Sequence, residues 1–271
     1  MSMATASAAT PNEPLLLQTR RGPVATLTLN RPAQYNALSE AMLDELQSAL
    51  DRIAEDRDGV RVAILAGAGK AFCAGHDLKE MRGKPARAYY ARLFKTCSRM
   101  MTTIARMPQP VIARVHGIAT AAGCQLVAAC DLAVAAQSAR FATSGINAGL
   151  FCTTPGVAVG RTVTRKHAME LLLTGDFIDA ARAEEIGLVN RVVEDTALDE
   201  AVSTLADTIA GKSGAAIGHG KRAFYRQMEM GLDAAYDYAS EVMADGMMLD
   251  DAAEGIDAFI GKRAPKWTHR P

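Results

Sequence analysis

Two stretches of this 271-residue chain hold the residues whose types and spacing bear most directly on chemistry. The first, HGIATAAGCQLVAACDLAVA at 116 to 135, leads small side chains into a helical pattern. Bare backbone N–H groups at such a helix start can hold negative charge. One amide, Gln125, follows Ala121, Ala122 and Gly123. A carboxylate there would move protons, whereas an amide has no accessible protonation equilibrium. The second stretch, FCAGHDLKE at 72 to 80, joins Ala74-Gly75, which permits close backbone approach, to a helix opening at DLKEM. The N–H of His76 then points into a cleft, and with the N–H of Ala122 it supplies two converging donors, an oxyanion hole. GAGKA at 67 to 71 is not a phosphate loop, because Ile64 and Ala71 stand where a P-loop needs Gly and Ser or Thr. It reads as a strand end turning on glycines.

These residues need elements to position them. PLLLQTRRGPVATLTLN sets two β-prone runs around Arg21-Gly22-Pro23 and predicts a hairpin. Ser39 then caps a helix in which Met42, Leu43, Leu46, Leu50 and Ile53 recur at helical spacing until Asp58-Gly59. VRVAILAG is a short apolar strand, residues 86 to 106 form a second helix stopped by Pro108 and Pro110, and VIARVHGIA reads as one further strand. Up to about residue 160 strands and helices alternate, which is the pattern of an α/β core. Beyond it the chain is mostly helical, with an apolar set at Ala235, Tyr238, Ala239, Val242 and Met243.

Lys plus Arg equals Asp plus Glu at 30 each, so no overall field draws the chain to nucleic acid or to an anionic membrane. No window offers the apolar length of a membrane span. The hydrophobic fraction of 49% is ample for a full core. Five cysteines, with no Cys-x-x-Cys pair, support reduced thiols and neither a disulfide frame nor a zinc site. The opening MSMATASAATPNEP resembles neither a secretory signal nor an Arg-rich transit peptide, so a disordered tail over 1 to 13 and a cytoplasmic location are expected.

LNRPAQYNALS, KAFCAGHDLKEM, VHGIATAAGCQLVAACDLAVA, FATSGINAGLFCTTPGVAVGRTV and LLLTGDFIDAARAEEIGLVNRVV together resemble the enoyl-CoA hydratase/isomerase superfamily, also called the crotonase family. The resemblance implies an α/β fold with a spiral of ββα units over 14 to 200. It also implies a helical region over 201 to 271 that builds trimers, often doubled into hexamers, and caps the site. The ligand it implies is an acyl-CoA thioester, with coenzyme A as part of the substrate, no separate cofactor and no metal. By position, His76 and Ala122 would hold the thioester oxygen through their N–H groups. Gln34, Tyr35, Ala37, Ala74, Gly75, His76, Asp77, Leu78, Ala122 and Gly123 would line the path of the substrate. Phe259 and Lys262 would reach the nucleotide end of a neighbouring subunit's coenzyme A.

The sequence departs from the family's pattern at two places. Hydratases of this family carry two glutamates that position water and move protons, and here those positions fall on Gln125 and Gly145. Asp77 and Glu80 are the nearest acids, although capping is the commoner role for such residues. Thr143, Ser144, Asn147 and Cys152 surround the second position and could hold a water, and the His76 side chain is a further candidate. Three readings follow: an acyl-CoA enzyme of the hydratase/isomerase kind, a malonyl-type acyl-CoA decarboxylase that needs no base, and a coenzyme A-binding oligomer without turnover.

Overall fold

A computed structural model of the chain describes residues 13–55 and 59–269, so the tail expected over 1 to 13 and the helix stop at Asp58 fall almost wholly outside the described residues. The expected hairpin is formed by β1 (Leu16–Arg21) and β2 (Val24–Leu29), antiparallel with Leu16 opposite Leu29. Gly22 turns it at φ +57°, a backbone angle at which a side chain is strained. Helix α1 (Glu40–Glu55) starts where Ser39 Oγ accepts the Met42 N–H at 3.2 Å, and Met42, Leu43, Leu46, Leu50 and Ile53 are all buried.

The chain then repeats a ββα pattern. In the first unit β3 (Val62–Gly67) is followed by β4 (Ala71–Cys73), α2 (Leu78–Gly83) and the long α3 (Arg87–Arg106). In the second, β5 (Val111–Val115) and β6 (Ile118–Thr120) precede α4 (Ala122–Ala129). In the third, β7 (Leu132–Ala136) and β8 (Arg140–Ala142) precede a 3-10 turn at Ser144–Ala148 and α5 (Thr153–Thr162). VIARVHGIA is therefore two strands where one was expected. The chain bends at His116-Gly117, where a β-carbon on Gly117 would lie 2.4 Å from the Lys70 carbonyl, so apolarity alone could not show the break.

That bend occurs in every unit and makes the spiral. The first strand of each unit joins a six-stranded sheet in the order β1-β2-β3-β5-β7-β10, and the second joins a four-stranded sheet in the order β4-β6-β8-β9. From β2 to β10 the large sheet is parallel, as are β4, β6 and β8. The remaining elements are α6 (Arg165–Thr174), β9 (Ile178–Asp179), α7 (Ala180–Glu185) and β10 (Arg191–Val193). The main core lies among α1, α3, α4 and the two sheets, with Phe72, Phe141, Leu46 and Met100 fully buried.

Helices α8 (Leu198–Ala210), α9 (Gly214–Gln227), α10 (Leu232–Met247) and α11 (Asp250–Ile260) end the fold. Residue 200 falls inside α8, which lays Leu198, Val202 and Ala206 over Val24, Ile64 and Ile112 on the outer face of the large sheet. Lys221 fastens α9 to the core. Its Nζ donates to the carbonyls of Ile104 and Gln109 at 2.8 and 2.9 Å and to Asp131 Oδ2 at 2.6 Å. Asp131 also accepts from Tyr225 Oη and from the Val111 N–H. Burial pulls the Lys221 pKa down and Asp131 offsets part of that pull. With side chains only 7% and 14% exposed, neither charge has water to fall back on. Lys221→Ala is expected to lower the free energy of unfolding by about 3–5 kcal/mol, as for one partner removed from a buried pair, measured from the shift in urea midpoint.

Candidate active site

The site is assembled from the loop after β2, the segment after β4 and the start of α4. In the loop, Pro32–Gln34 makes a 3-10 turn, and Tyr35 and Asn36 follow at φ +51° and +56°. Asn36 is fully buried. Its Oδ1 accepts the Arg31 N–H at 2.9 Å, and its Nδ2 donates to the carbonyls of Ala68 and Ala71 at 2.8 and 2.7 Å. Sequence reasoning passed over this residue. The available signal was an Asn in a turn-like QYNA run, since Asn tolerates the left-handed region and satisfies backbone groups there.

With the loop so fixed, it grips the segment after β4. The Tyr35 carbonyl accepts the Ala74 N–H at 3.0 Å, the Gly75 carbonyl accepts the Leu38 N–H at 2.8 Å, and the Leu38 carbonyl accepts the Asp77 N–H at 3.3 Å. Leu38 and His76 thus form an isolated parallel bridge. Such pairing uses the groups flanking His76, so the His76 N–H faces away from Leu38, and no acceptor engages it among the described residues.

Helix α4 opens against this segment. A β-carbon on Gly123 would lie 1.9 Å from the Cys73 carbonyl oxygen, so only glycine allows the approach. A β-carbon on Gly75 would lie 3.2 Å from the backbone nitrogen of Ala122. Ala121 caps the helix from φ +50° and ψ −119°, with its N–H donated to Ala142 and its carbonyl accepting from Gln125. The N–H of Ala122 has no intrahelical partner, as expected in a first turn. Two bare N–H groups thus lie on neighbouring backbone segments, a pair able to hold developing negative charge.

The side chains around them are neutral. His76 stacks edge-on against Phe94 at 5.4 Å between ring centroids, and both of its ring nitrogens are sealed from water without a partner. Burial holds its pKa below the ordinary 6.5, and the nearby Leu38 carbonyl and Glu80 carboxylate offset this only in part. Gln125 is 3% exposed, and its Oε1 is likewise sealed and unpartnered. Gly145 lies in the 3-10 turn where the chain folds back on itself. A β-carbon there would sit 2.7 Å from both Cys152 Sγ and the Leu150 carbonyl oxygen, so a glutamate has no room.

Asp77 and Glu80, the nearest acids, hold structure. Asp77 Oδ1 accepts the N–H groups of Lys79 and Glu80 at the start of α2, and its Oδ2 pairs with Arg31 at 3.0 Å. Glu80 Oε2 accepts the N–H of Glu40 at the start of α1. Of the four residues around Gly145, Thr143 donates to the Leu171 carbonyl and Asn147 to the Gly175 carbonyl, while Ser144 pairs with Thr120 at 2.7 Å. Burial pushes the Cys152 thiol up. Gln34, Tyr35 and Leu78 are exposed beside the segment, Ala37 is buried in the loop, and Ala74 is half-buried. Phe259 and Lys262 lie at the end of α11, which packs on α9 and α10, and both are exposed. No cluster of three His, Cys, Asp or Glu able to hold a metal occurs among the described residues. A cleft of about 1140 Å³ between α4, α5, α9 and α10 contains none of the candidate residues.

Comparison with known proteins bears on this arrangement. The pattern of the enoyl-CoA hydratase/isomerase family matches residues 19–270. The chain belongs to that family. It is 46% identical over 259 residues to enoyl-CoA hydratase domain-containing protein 3, mitochondrial, of Rattus norvegicus, covering 95% of this chain and 86% of the relative. The Homo sapiens protein of the same name is 46% identical over 248 residues, covering 92% and 82%. Among solved structures, an enoyl-CoA hydratase of Mycobacterium smegmatis superposes with a TM-score of 0.92 at 58% identity, covering 94% of this chain and 99% of that one. The human domain-containing protein 3 superposes at 0.91 and 44% identity, covering 94% and 100%. The fold is thus the crotonase spiral.

The comparison overturns one expectation. Relatives whose names carry a compartment are mitochondrial, so the cytoplasmic location inferred from cysteine usage and the first residues does not stand. Reduced thiols and a short polar opening are compatible with more than one compartment and do not discriminate among them.

The neutral, sealed His76 implies a pH dependence. Its folded pKa is depressed, so below pH 6.5 the unfolded chain binds the proton more readily. The stability it contributes is therefore present above 6.5 and is lost as pH falls through its depressed folded value. His116 and His269 are shifted in the same direction and add to the slope. Burial is the leading cause for both, reinforced at His269 by the neighbouring Arg61. His76→Gln is expected to flatten, without abolishing, the fall in melting temperature between pH 7 and pH 5, followed by thermal denaturation across that range.

Proposed function

We propose that the chain binds an acyl-CoA thioester in the crevice between residues 74–78 and 120–125, with the thioester oxygen accepting the N–H groups of His76 and Ala122. The observation that supports this reading is the pair of unpartnered N–H groups brought together by the close backbone contacts at Gly75 and Gly123. Each such donor is worth about 2.7–4 kcal/mol toward charge that develops on the oxygen. Coenzyme A would run past Gln34, Tyr35, Ala37 and Ala74 to Leu78.

The chemistry that this frame serves is stabilisation of a thioester enolate. Ordinary hydration also needs groups that carry protons, an effect worth about 10² to 10⁴ in rate. Gln125 cannot titrate, Gly145 has no side chain, and Asp77 and Glu80 are engaged at helix starts. We therefore assign an acyl-CoA lyase or isomerase reaction in which hydration of a simple enoyl thioester is slow. Decarboxylation of a malonyl-type thioester is a second reading. The loss of carbon dioxide leaves its electron pair as the enolate, so no base is required at Gln125 or Gly145. A coenzyme A-binding oligomer without turnover is the third.

Subunit association is part of the same reading. Helix α10 buries none of its residues, and Leu232, Tyr236, Met243, Met248, Phe259 and Ile260 are exposed on α10, α11 and the turn between them. An exposed apolar run of this size marks an interaction surface. In a trimer or hexamer it would carry Phe259 and Lys262 to a neighbour's coenzyme A. Light scattering at micromolar protein is expected to give a trimer or a multiple of it, and a monomer would remove that role.

The function is tested by incubating the protein with crotonyl-CoA and with a malonyl-type CoA ester and reading the mass change. Binding of thioester is expected in both cases, with crotonyl-CoA hydration well below the ordinary enzyme rate of about 10 per second. Gln125→Glu is expected to raise that hydration rate, since it restores one titratable group beside the donors. Hydration at an ordinary rate by the unmodified protein would show that another residue supplies the protons. Absence of binding at millimolar thioester, where about −4 kcal/mol would register, would remove the reading altogether.

A further inference from the structure

Ala121 stands at φ +50° and ψ −119°, a region that suits glycine and strains any residue with a β-carbon. A glycine would relax this turn, yet the chain keeps the methyl. That methyl has a specific neighbour: a β-carbon on Gly75 would sit 3.0 Å from Ala121 Cβ, so the methyl fills the side of Gly75 where a side chain would stand, next to the backbone that leads into the His76 N–H. The residue is also tied on its other side, because its N–H donates to the Ala142 carbonyl at 3.0 Å and its carbonyl accepts the Gln125 N–H at 3.0 Å. The backbone after Ala121 carries the Ala122 N–H.

We propose that Ala121 is a positioning residue, whose strained methyl is a spacer that sets the separation of the His76 and Ala122 donors. The inference rests on the function proposed above. The methyl faces Gly75, whose segment the Leu38 bridge holds in place, so it opposes closing of the two donor segments on each other. Removing the methyl relaxes the turn and lets the donors drift. Stability and charge stabilisation then change in opposite directions, which a merely structural role would not produce.

The experiment compares the unmodified protein with Ala121→Gly and Ala121→Ser, using acetoacetyl-CoA as the probe. Loss of a C2 proton from this thioester to the buffer gives an enolate that shares its charge with the thioester oxygen and absorbs in the near ultraviolet. The bound enolate-to-keto ratio at fixed pH therefore reads the donors directly. Ala121→Gly is expected to raise the melting temperature by about 2 to 4 °C. It is expected to lower the enolate ratio about 10-fold, less than the 10²- to 10³-fold of losing a donor outright, with affinity for free coenzyme A unchanged. Ala121→Ser keeps the β-carbon and is expected to keep the ratio of the unmodified protein.

An Ala121→Gly protein with an unchanged enolate ratio overturns the inference and leaves the proposed function standing, as does one that is less stable than the unmodified chain. If the unmodified protein itself gives no enolate enrichment over free solution, the charge-holding reading fails and this inference fails with it.

Discussion

The backbone contact between α4 and β4 is the constraint on which the rest of the structure depends. A β-carbon at Gly123 would overlap the Cys73 carbonyl, so the second ββα unit can lean on the first only at backbone distance. That closeness brings the backbone carrying the Ala122 N–H against the segment that leads into His76. The spiral supports it from both flanks: the parallel pairing of β4 with β6 aligns the two units, and the Leu38 bridge fixes the segment after β4. Asn36 fixes the loop that carries Leu38, using a side chain where regular structure would use a ladder.

The electrostatics of the site follow from what surrounds this contact. The acids nearest the crevice are turned away from it. Asp77 and Glu80 serve the starts of α2 and α1, where helix N-termini favour negative charge. What remains inside is neutral and unpartnered: the His76 ring and the Gln125 amide oxygen. Burial also holds the thiols of Cys73, Cys97 and Cys124 up at about 12, which leaves them as packing groups and not nucleophiles.

The C-terminal helices are held differently. Lys221 and Asp131 anchor α9 in the core, and Asp251 gathers Ser213 Oγ at 2.6 Å and the N–H groups of Thr268 and His269 at 2.6 and 3.1 Å. Helix α10 is tied to α9 by His219 Nε2, which meets the Val242 carbonyl at 2.9 Å, and by Arg226 stacked over the Tyr238 ring, yet most of its apolar side chains face solvent in the single chain. The spiral's core thus closes within one chain, whereas the apolar side chains of this last part stay exposed on it.

The sequence by itself determined the family and several of the elements. Helical spacing placed α3 and the start of α1 within a residue of their observed bounds, Gly22 marked the hairpin, and the motifs around His76 and Gln125 carried the family resemblance. These are local properties: side-chain periodicity, turn chemistry and backbone freedom are set by neighbours in the chain. Compartment was not legible, because reduced thiols and a polar opening do not distinguish cytoplasm from mitochondrion. Only the tertiary structure decided that VIARVHGIA bends into two sheets, that Asn36 locks the loop, that Asp77 and Glu80 are caps, and that Gly145 is excluded from carrying a side chain by Leu150 and Cys152. Each of these depends on which distant backbone lies within about 3 Å, a hydrogen-bond or contact distance, and spacing along the chain does not encode that distance.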